Sequence, residues 1–438
     1  MLKRILLAAA LLINAAGVPA GGTDIGEMVT AFKTETRCRN VSVVVVDHGE
    51  MTFYGDKDGL YQIGSMTKSF TGLAIQKLID EGVISETDKV SKLIPGFTAY
   101  YRGQSVDITV KDLLTQKSGF TNSETDYPSA KADMSLLDWA KTISGKELKC
   151  LPGTFYNYSN VNYNLLGLII ENITGKPYKD YMNEAVLEPM KLTSTSAGTP
   201  EKGNVIEGSR LGFRQAFEYR IPVRTGSIPA GYFYSNVEDT GKWMEAWIKG
   251  EDHSMENVLA HLEKEGGYYA GLERFEGDIT GHSGGTPNYS SRMVFSKSKE
   301  TGVCVLTDMN VAATTDSLCN NIFAELTGKS HGKLVCDVWT VFDIIFTSVT
   351  AIGAVLLVLV LISKKKGFLI GTGITLLVLL ALILILFPVI FGAGLKEIAF
   401  TWAPWSFAGG LAVLAADLGT AACRYTWVRK NARRAKTG

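Results

Sequence analysis

An α+β domain, with antiparallel terminal strands around a mostly helical middle, followed by an all-α three-helix transmembrane domain, is the architecture this 438-residue sequence predicts. Three observations carry it. Strand-like runs rich in β-branched residues stand at opposite ends of the first part, at 41–46 and at 293–295 and 303–306, which suits antiparallel pairing of the two ends. Between them, 110–181 and 239–249 repeat apolar residues at helical spacing. Beyond residue 337 come three apolar stretches, at about 344–362, 368–391 and 398–423, each long enough to cross a ~30 Å hydrocarbon core.

The expected organisation is a signal peptide at 1–20, an extracytoplasmic domain at 21–337 and a transmembrane domain at 338–438. Lys3 and Arg4 precede an apolar run too short to span a bilayer, and Val18-Pro19-Ala20 offers a small-residue cleavage site. Lys364, Lys365 and Lys366 fill the first connection between spans, and Arg424, Arg429, Lys430, Arg433, Arg434 and Lys436 follow the last. Positive charge stays inside, so both segments are expected in the cytoplasm and the first domain outside. Trp402 and Trp405 suit an outer interfacial belt, and Asp417, inside the third span, is expected to make a packing or assembly contact.

Lysine plus arginine equal aspartate plus glutamate at 44 each, but the balance is uneven. The tail is basic, which leaves the mature ectodomain net acidic by about nine and argues against a nucleic-acid partner. Six cysteines, with Cys423 in the last span, allow two disulfides and a free thiol, or none. The chain has no His-x-x-x-His, no Cys-x-x-Cys, no Walker loop and no dinucleotide fingerprint, so neither metal nor cofactor is expected.

Ser-x-x-Lys occurs four times, starting at Ser65, Ser296, Ser330 and Ser363. Only Ser65-Met66-Thr67-Lys68 opens an apolar stripe at helical spacing (Phe70, Leu73, Ala74, Leu78) that Gly82 can stop. A lysine at i+3 shares the serine's helix face and can take its proton, and the helix N-terminus favours developing negative charge. Two further groups stand out. Tyr158-Ser159-Asn160 follows a Pro152-Gly153 turn and enters an apolar helical run, and Gly281-His282-Ser283-Gly284-Gly285 precedes a strand-like segment. That last run also fits the Gly-x-Ser-x-Gly elbow of α/β-hydrolases, but an elbow requires strand, tight turn and helix, and here a strand follows.

Ser-x-x-Lys, Tyr-x-Asn and a His-x-Gly box, in this order, resemble the penicillin-recognising serine hydrolases: class C β-lactamases, D-alanyl-D-alanine peptidases, D-aminopeptidases and related esterases. Leu113-Leu114-Thr115, Ser118-Gly119, Pro189-Met190 and Pro229-Ala230-Gly231 match as well. The resemblance implies an antiparallel sheet flanked by helices, an inserted helical lobe, and a site between them. It implies acyl transfer with Ser65 as nucleophile and Lys68 and Tyr158 sharing the proton work. Asn160 would orient the substrate, the box His282, Ser283, Gly284 and Gly285 would bind it, and the N–H groups of Ser65 and Gly285 would form the oxyanion hole. Two departures are visible: His282 stands where most β-lactamases carry lysine, and Gln116-Lys117 replace a usual His-Thr. The expected partner is a small peptide-like amide or a substrate containing a D-amino acid, met at a lipid bilayer. Three C-terminal spans resemble the membrane peptidases that activate non-ribosomal peptide prodrugs, such as the colibactin-activating type, which remove an N-acylated D-asparagine cap. Firmicute penicillin-binding-protein homologues also carry C-terminal spans. A β-lactam-acylated sensor, a β-lactamase or an esterase shares the same residues, so the substrate stays open.

Overall fold

A computed structural model of the chain describes residues 24–123 and 126–437. The expected signal segment at 1–20 lies outside the described residues, as do positions 124 and 125 in the loop at 121–130. The chain forms two compact units. One holds everything described before Arg210 together with residues 218–335, and the other holds residues 210–217 and the chain from Cys336.

In the first unit, helix α1 (Ile25–Thr36), capped by the Asp24 carboxylate, leads into strands β1 (Val41–Asp47) and β2 (Glu50–Tyr54). Helices α2 (Thr67–Asp80), α3 (Asn160–Thr174) and α4 (Val237–Lys249) follow. The remaining strands of the main sheet are β3 (Tyr268–Tyr269), β4 (Leu272–Arg274), β5 (Ile279–Thr286), β6 (Tyr289–Ser296) and β7 (Thr301–Thr307), before helix α5 (Ala312–Leu326). The seven strands form one antiparallel sheet in the order β3-β4-β5-β6-β7-β1-β2. The expected pairing of the two ends is there, with Val44 opposite Cys304. β1 is buried from Val41 through Val46 because helices cover it: α4 packs over β1 and β7, and α5 over β6 and β7. The middle is less helical than its periodicity suggests. Between residue 110 and α3, apart from helices at Val110–Leu114 and Leu136–Ile143 and the short strand Lys146–Glu147, the described segments are turns and loops that the lobe's apolar side chains hold down.

Helix α2 is the element on which the site is built, and it is buried continuously from Thr67 to Gln76. Phe70 stacks on Trp243 of α4 with ring centroids 4.0 Å apart, and the Trp243 indole donates to Ser69 Oγ at 3.1 Å. Its other side meets the turn between β3 and β4. A Cβ on Gly72 would lie 2.1 Å from the Ala270 carbonyl oxygen, and one on Gly271 2.1 Å from the Lys68 carbonyl carbon. Backbone therefore rests directly on backbone, which only glycine permits.

In the second unit, helices α6 (Val338–Ile362), α7 (Lys366–Phe391) and α8 (Trp405–Thr437) are long and apolar enough to cross a membrane. The third span starts later than the hydropathy pattern suggests. Ile398–Trp402 forms a π-helical turn, and Pro404 holds Ala403 extended (ψ 152°), so the long helix begins only at Trp405. Gly410 lets Phe346 approach, and Phe346 sets its ring edge-on against Phe407 at 4.7 Å. Asp417 is buried against Gly353 of α6, the packing position expected of it. The segment 210–217 is the unexpected member of this unit. Its Arg210 guanidinium donates to the carbonyls of Ala399, Phe400 and Ala403 and stacks on Trp405, 4.1 Å from the ring centroid. The Arg214 N–H donates to Asp343, which also accepts from Ser406. None of the described cysteines is joined in a disulfide, which decides between the alternatives their number allowed.

Gly72→Ala is expected to lower the stability of the full chain in detergent by about 1–3 kcal/mol, because the Ala270 carbonyl is backbone and has little room to yield. Thermal unfolding followed by circular dichroism measures it, and an unchanged melting temperature would contradict the close approach.

Candidate active site

Ser65 lies in a 3₁₀ turn, Gly64–Met66, that runs straight into α2, so it stands at the helix entry as expected. From Tyr61 to Phe70 it is the one residue that is not buried. Gly64 adopts φ +51°, and a Cβ there would sit 2.4 Å from the Gly285 amide nitrogen. Gly284 is equally confined, since a Cβ there would meet the Ile63 carbonyl oxygen at 2.1 Å. These glycines bring the Gly285 amide of β5 against the turn that carries Ser65.

Lys68 is fully buried, and its Nζ has three close polar neighbours: Ser65 Oγ at 2.9 Å, Asn160 Oδ1 at 2.8 Å and the Ala230 carbonyl oxygen at 2.5 Å. No carboxylate compensates the burial, which drives the lysine pKa well below its ordinary value. In its neutral form the amine has two hydrogens and one lone pair. Asn160 Oδ1 and the Ala230 carbonyl can only accept, so they take both hydrogens. The lone pair then faces the Ser65 hydroxyl.

Tyr158 lies on the loop entering α3, and its ring centroid is 4.9 Å from Lys68 Nζ. Burial pushes its phenol above the ordinary tyrosine range, while the Ser65 hydroxyl works in the opposite direction. The phenol oxygen closes no hydrogen bond of full geometry. Burial thus favours the uncharged form of both groups. Gln116, the departure in the sequence, proves to grip this loop. Its backbone carbonyl accepts from the Asn157 N–H at 2.8 Å and its side-chain oxygen from the Ser159 N–H at 2.9 Å, one on either side of Tyr158.

His282 and Ser283 are neighbours on β5 and point to opposite faces of the sheet. The His282 ring lies 5.9 Å from the Tyr158 ring, and its Nε2 is 3.3 Å from the Tyr268 hydroxyl. Its Nδ1 meets the Ser283 carbonyl, which can only accept, so the proton sits on Nδ1 and Nε2 accepts from Tyr268. Burial above all pushes the imidazole down to about 3. Ser283 Oγ instead donates to Asp316 Oδ2 at 3.0 Å and accepts from Arg292 Nη1 at 2.7 Å. The structure therefore gathers Ser65, Lys68, Tyr158, Asn160, His282, Gly284 and Gly285, and it turns the Ser283 side chain away from Lys68. The run 281–285 is also the interior of a strand, not a nucleophile elbow.

Two participants were missed in the sequence. The Ala230 carbonyl carries no side-chain signature, although Pro229-Ala230-Gly231 pointed to the segment. Tyr268 sits in a two-residue strand whose period cannot be read, yet its ring packs edge-on against Tyr158 at 6.0 Å.

This geometry agrees with the family to which the chain is related. The Beta-lactamase family model matches residues 25–320, and the chain belongs to that family of serine hydrolases. Protein flp of Staphylococcus aureus (strain MRSA252) is 29% identical over 380 residues, covering 78% of this chain and 75% of that protein. A putative D-alanyl-D-alanine carboxypeptidase of Escherichia coli (strain K12) is 30% identical over 230 residues, half of this chain and 49% of that protein. Among solved structures, the octameric penicillin-binding protein homologue from Pyrococcus abyssi superimposes with a TM-score of 0.62 at 22% identity, over 74% of this chain and 80% of that one. A D-stereospecific amidohydrolase from Streptomyces sp. gives 0.55 at 22% identity, over 69% and 98%. Both confirm the α+β fold.

Because the folded His282 binds its proton only near pH 3 and an unfolded imidazole near 6.5, the unfolded chain is protonated first as the medium is acidified. Stability drains away from about pH 6.5 towards 3, by at most about 1.4 kcal/mol per pH unit. His282→Gln should remove most of this loss. Denaturant titrations of both proteins between about pH 7 and 4 are expected to diverge, and parallel pH profiles would rule the assignment out.

Proposed function

We propose that the chain is an outward-facing, membrane-anchored serine peptidase or amidohydrolase that works through an acyl-enzyme and cleaves an amide next to a D-residue. The observation that carries the reading is the Lys68 amine, buried 2.9 Å from Ser65 Oγ, with Asn160 Oδ1 and the Ala230 carbonyl oxygen as its other polar neighbours. Ser65 Oγ attacks the substrate carbonyl as its proton passes to Lys68, and the N–H groups of Ser65 and Gly285 hold the developing oxyanion. Removing one such donor typically costs ~10²–10³ in kcat. The C–N bond then breaks, and the leaving amine takes a proton through the Tyr158 phenol. A water molecule repeats the sequence on the ester, returns the proton to the site and releases the acid.

The substrate class follows from charge. Burial holds the His282 imidazole neutral near pH 7, so the box that faces the substrate offers no imidazolium to a substrate carboxylate. This favours amides without a free carboxylate over D-Ala-D-Ala-type peptides and β-lactams. The related D-stereospecific amidohydrolase and D-alanyl-D-alanine carboxypeptidase support a D-residue beside the cleaved bond, and the prodrug-activating type is one such amide chemistry. Three membrane-length helices, with lysines between the first two and arginines in the C-terminal part of the third, support the anchor and the outward orientation.

Ser65→Ala should abolish labelling by a serine-directed fluorophosphonate and all turnover, whereas Ser283→Ala should keep its label. A Ser65→Ala protein that still forms the covalent adduct would end the assignment. Gln116→Ala should reduce kcat by about tenfold with KM little changed, as loss of a positioning contact does. Steady-state kinetics on an N-acyl-D-aminoacyl anilide measure this, and an effect confined to KM would show that Gln116 serves binding instead.

A further inference from the structure

Beside Asn160 lies a recess of about 20 Å³ lined by Asn122, Tyr127, Trp139, Asn160 and Asn164. A water-sized group needs roughly 10–15 Å³, so the space suits one or two polar atoms and no bulky side chain. Asn164, on the buried face of α3, is 2% exposed. One end of its carboxamide makes a long contact to Ser227 Oγ at 3.4 Å, and the other, Oδ1, has no partner. An orphaned buried amide is costly and marks a place where a further polar group belongs.

The neighbouring groups give that place a direction. Asn160 uses its Oδ1 on Lys68, and its backbone N–H donates to Asn122 Oδ1 at 2.9 Å. Its amide nitrogen points the other way from the lysine and remains for an acceptor. Among the described residues no charged side chain lines the recess, and Tyr127 and Trp139 close it with aromatic walls. A tip that both donates and accepts, a hydroxyl or one end of a carboxamide, satisfies the site. An ammonium or carboxylate would be desolvated there without a counter-charge.

We propose that this recess is a side-chain subsite of the reaction proposed above, that Asn164 is its specificity determinant, and that it selects acyl residues ending in a small neutral hydrogen-bonding group. The subsite rests on that functional reading, because the acyl residue reaches it only once its amide is held by Asn160 next to Ser65. An apolar side chain of similar size leaves the Asn164 amide unpaired, which corresponds to about 10- to 100-fold in kcat/KM.

The test uses the full-length protein in detergent and N-acetyl-D-aminoacyl p-nitroanilides of D-serine, D-asparagine, D-alanine and D-valine. The wild type should prefer the serine and asparagine substrates over alanine and valine by at least tenfold. Asn164→Leu should collapse that ratio, through KM, while fluorophosphonate labelling at Ser65 reports an intact nucleophile. Should Asn164→Leu fail to label, Asn164→Ser, which is smaller and still polar, takes its place and should shift the preference from asparagine towards serine. A wild type without polar preference, or a labelled variant with an unchanged ratio, overturns the subsite alone. No turnover of any substrate together with no label at Ser65 defeats the functional reading itself.

Discussion

The site depends on one uncompensated burial. Lys68 occupies the interior of a helix packed on every side, no carboxylate pairs with it, and its Nζ is fixed between a carboxamide and a backbone carbonyl. An ammonium in that position would lose its hydration for neutral acceptors only, which lowers the lysine pKa well below its ordinary value. The same packing that supports the fold thereby makes a base of a residue that in water is almost always an acid. Tyr158 and His282 feel the same desolvation, and it keeps both in their neutral forms.

Such a cluster has to be assembled with little slack, and glycine is the means. Gly64 and Gly284 let the serine-bearing turn and strand β5 approach within backbone contact, and Gly72 and Gly271 do the same for helix α2 and the turn carrying Tyr268. Each contact lies between backbone atoms, which cannot rotate out of the way. Gln116 adds directional control by fixing the loop on both sides of Tyr158. Positions of the serine, phenol and amide groups are thus set by parts of the chain with little conformational freedom.

The C-terminal unit solves a different problem. Its π-helical turn before Pro404 leaves carbonyls that no following helical N–H can reach, and the Arg210 guanidinium satisfies three of them. An arginine suits this because its planar fork presents several donors at once. That segment comes from far earlier in the chain, which is why hydropathy alone assigned the unit only to the tail.

The sequence by itself determined the serine–lysine pair, the Tyr158 and His282 groups, the end-to-end strand pairing and three membrane-length helices. All of these are local periodicities or spacings, and a helix turn or an alternation writes them directly into residue order. Tertiary structure decided the protonation of Lys68, the tautomer of His282, the outward turn of Ser283, the place of Tyr268 and the grouping of residues 210–217. Those depend on burial and on backbone carbonyls brought from distant segments, and neither the solvent exclusion nor the carbonyl leaves a mark on which amino acid stands at a position.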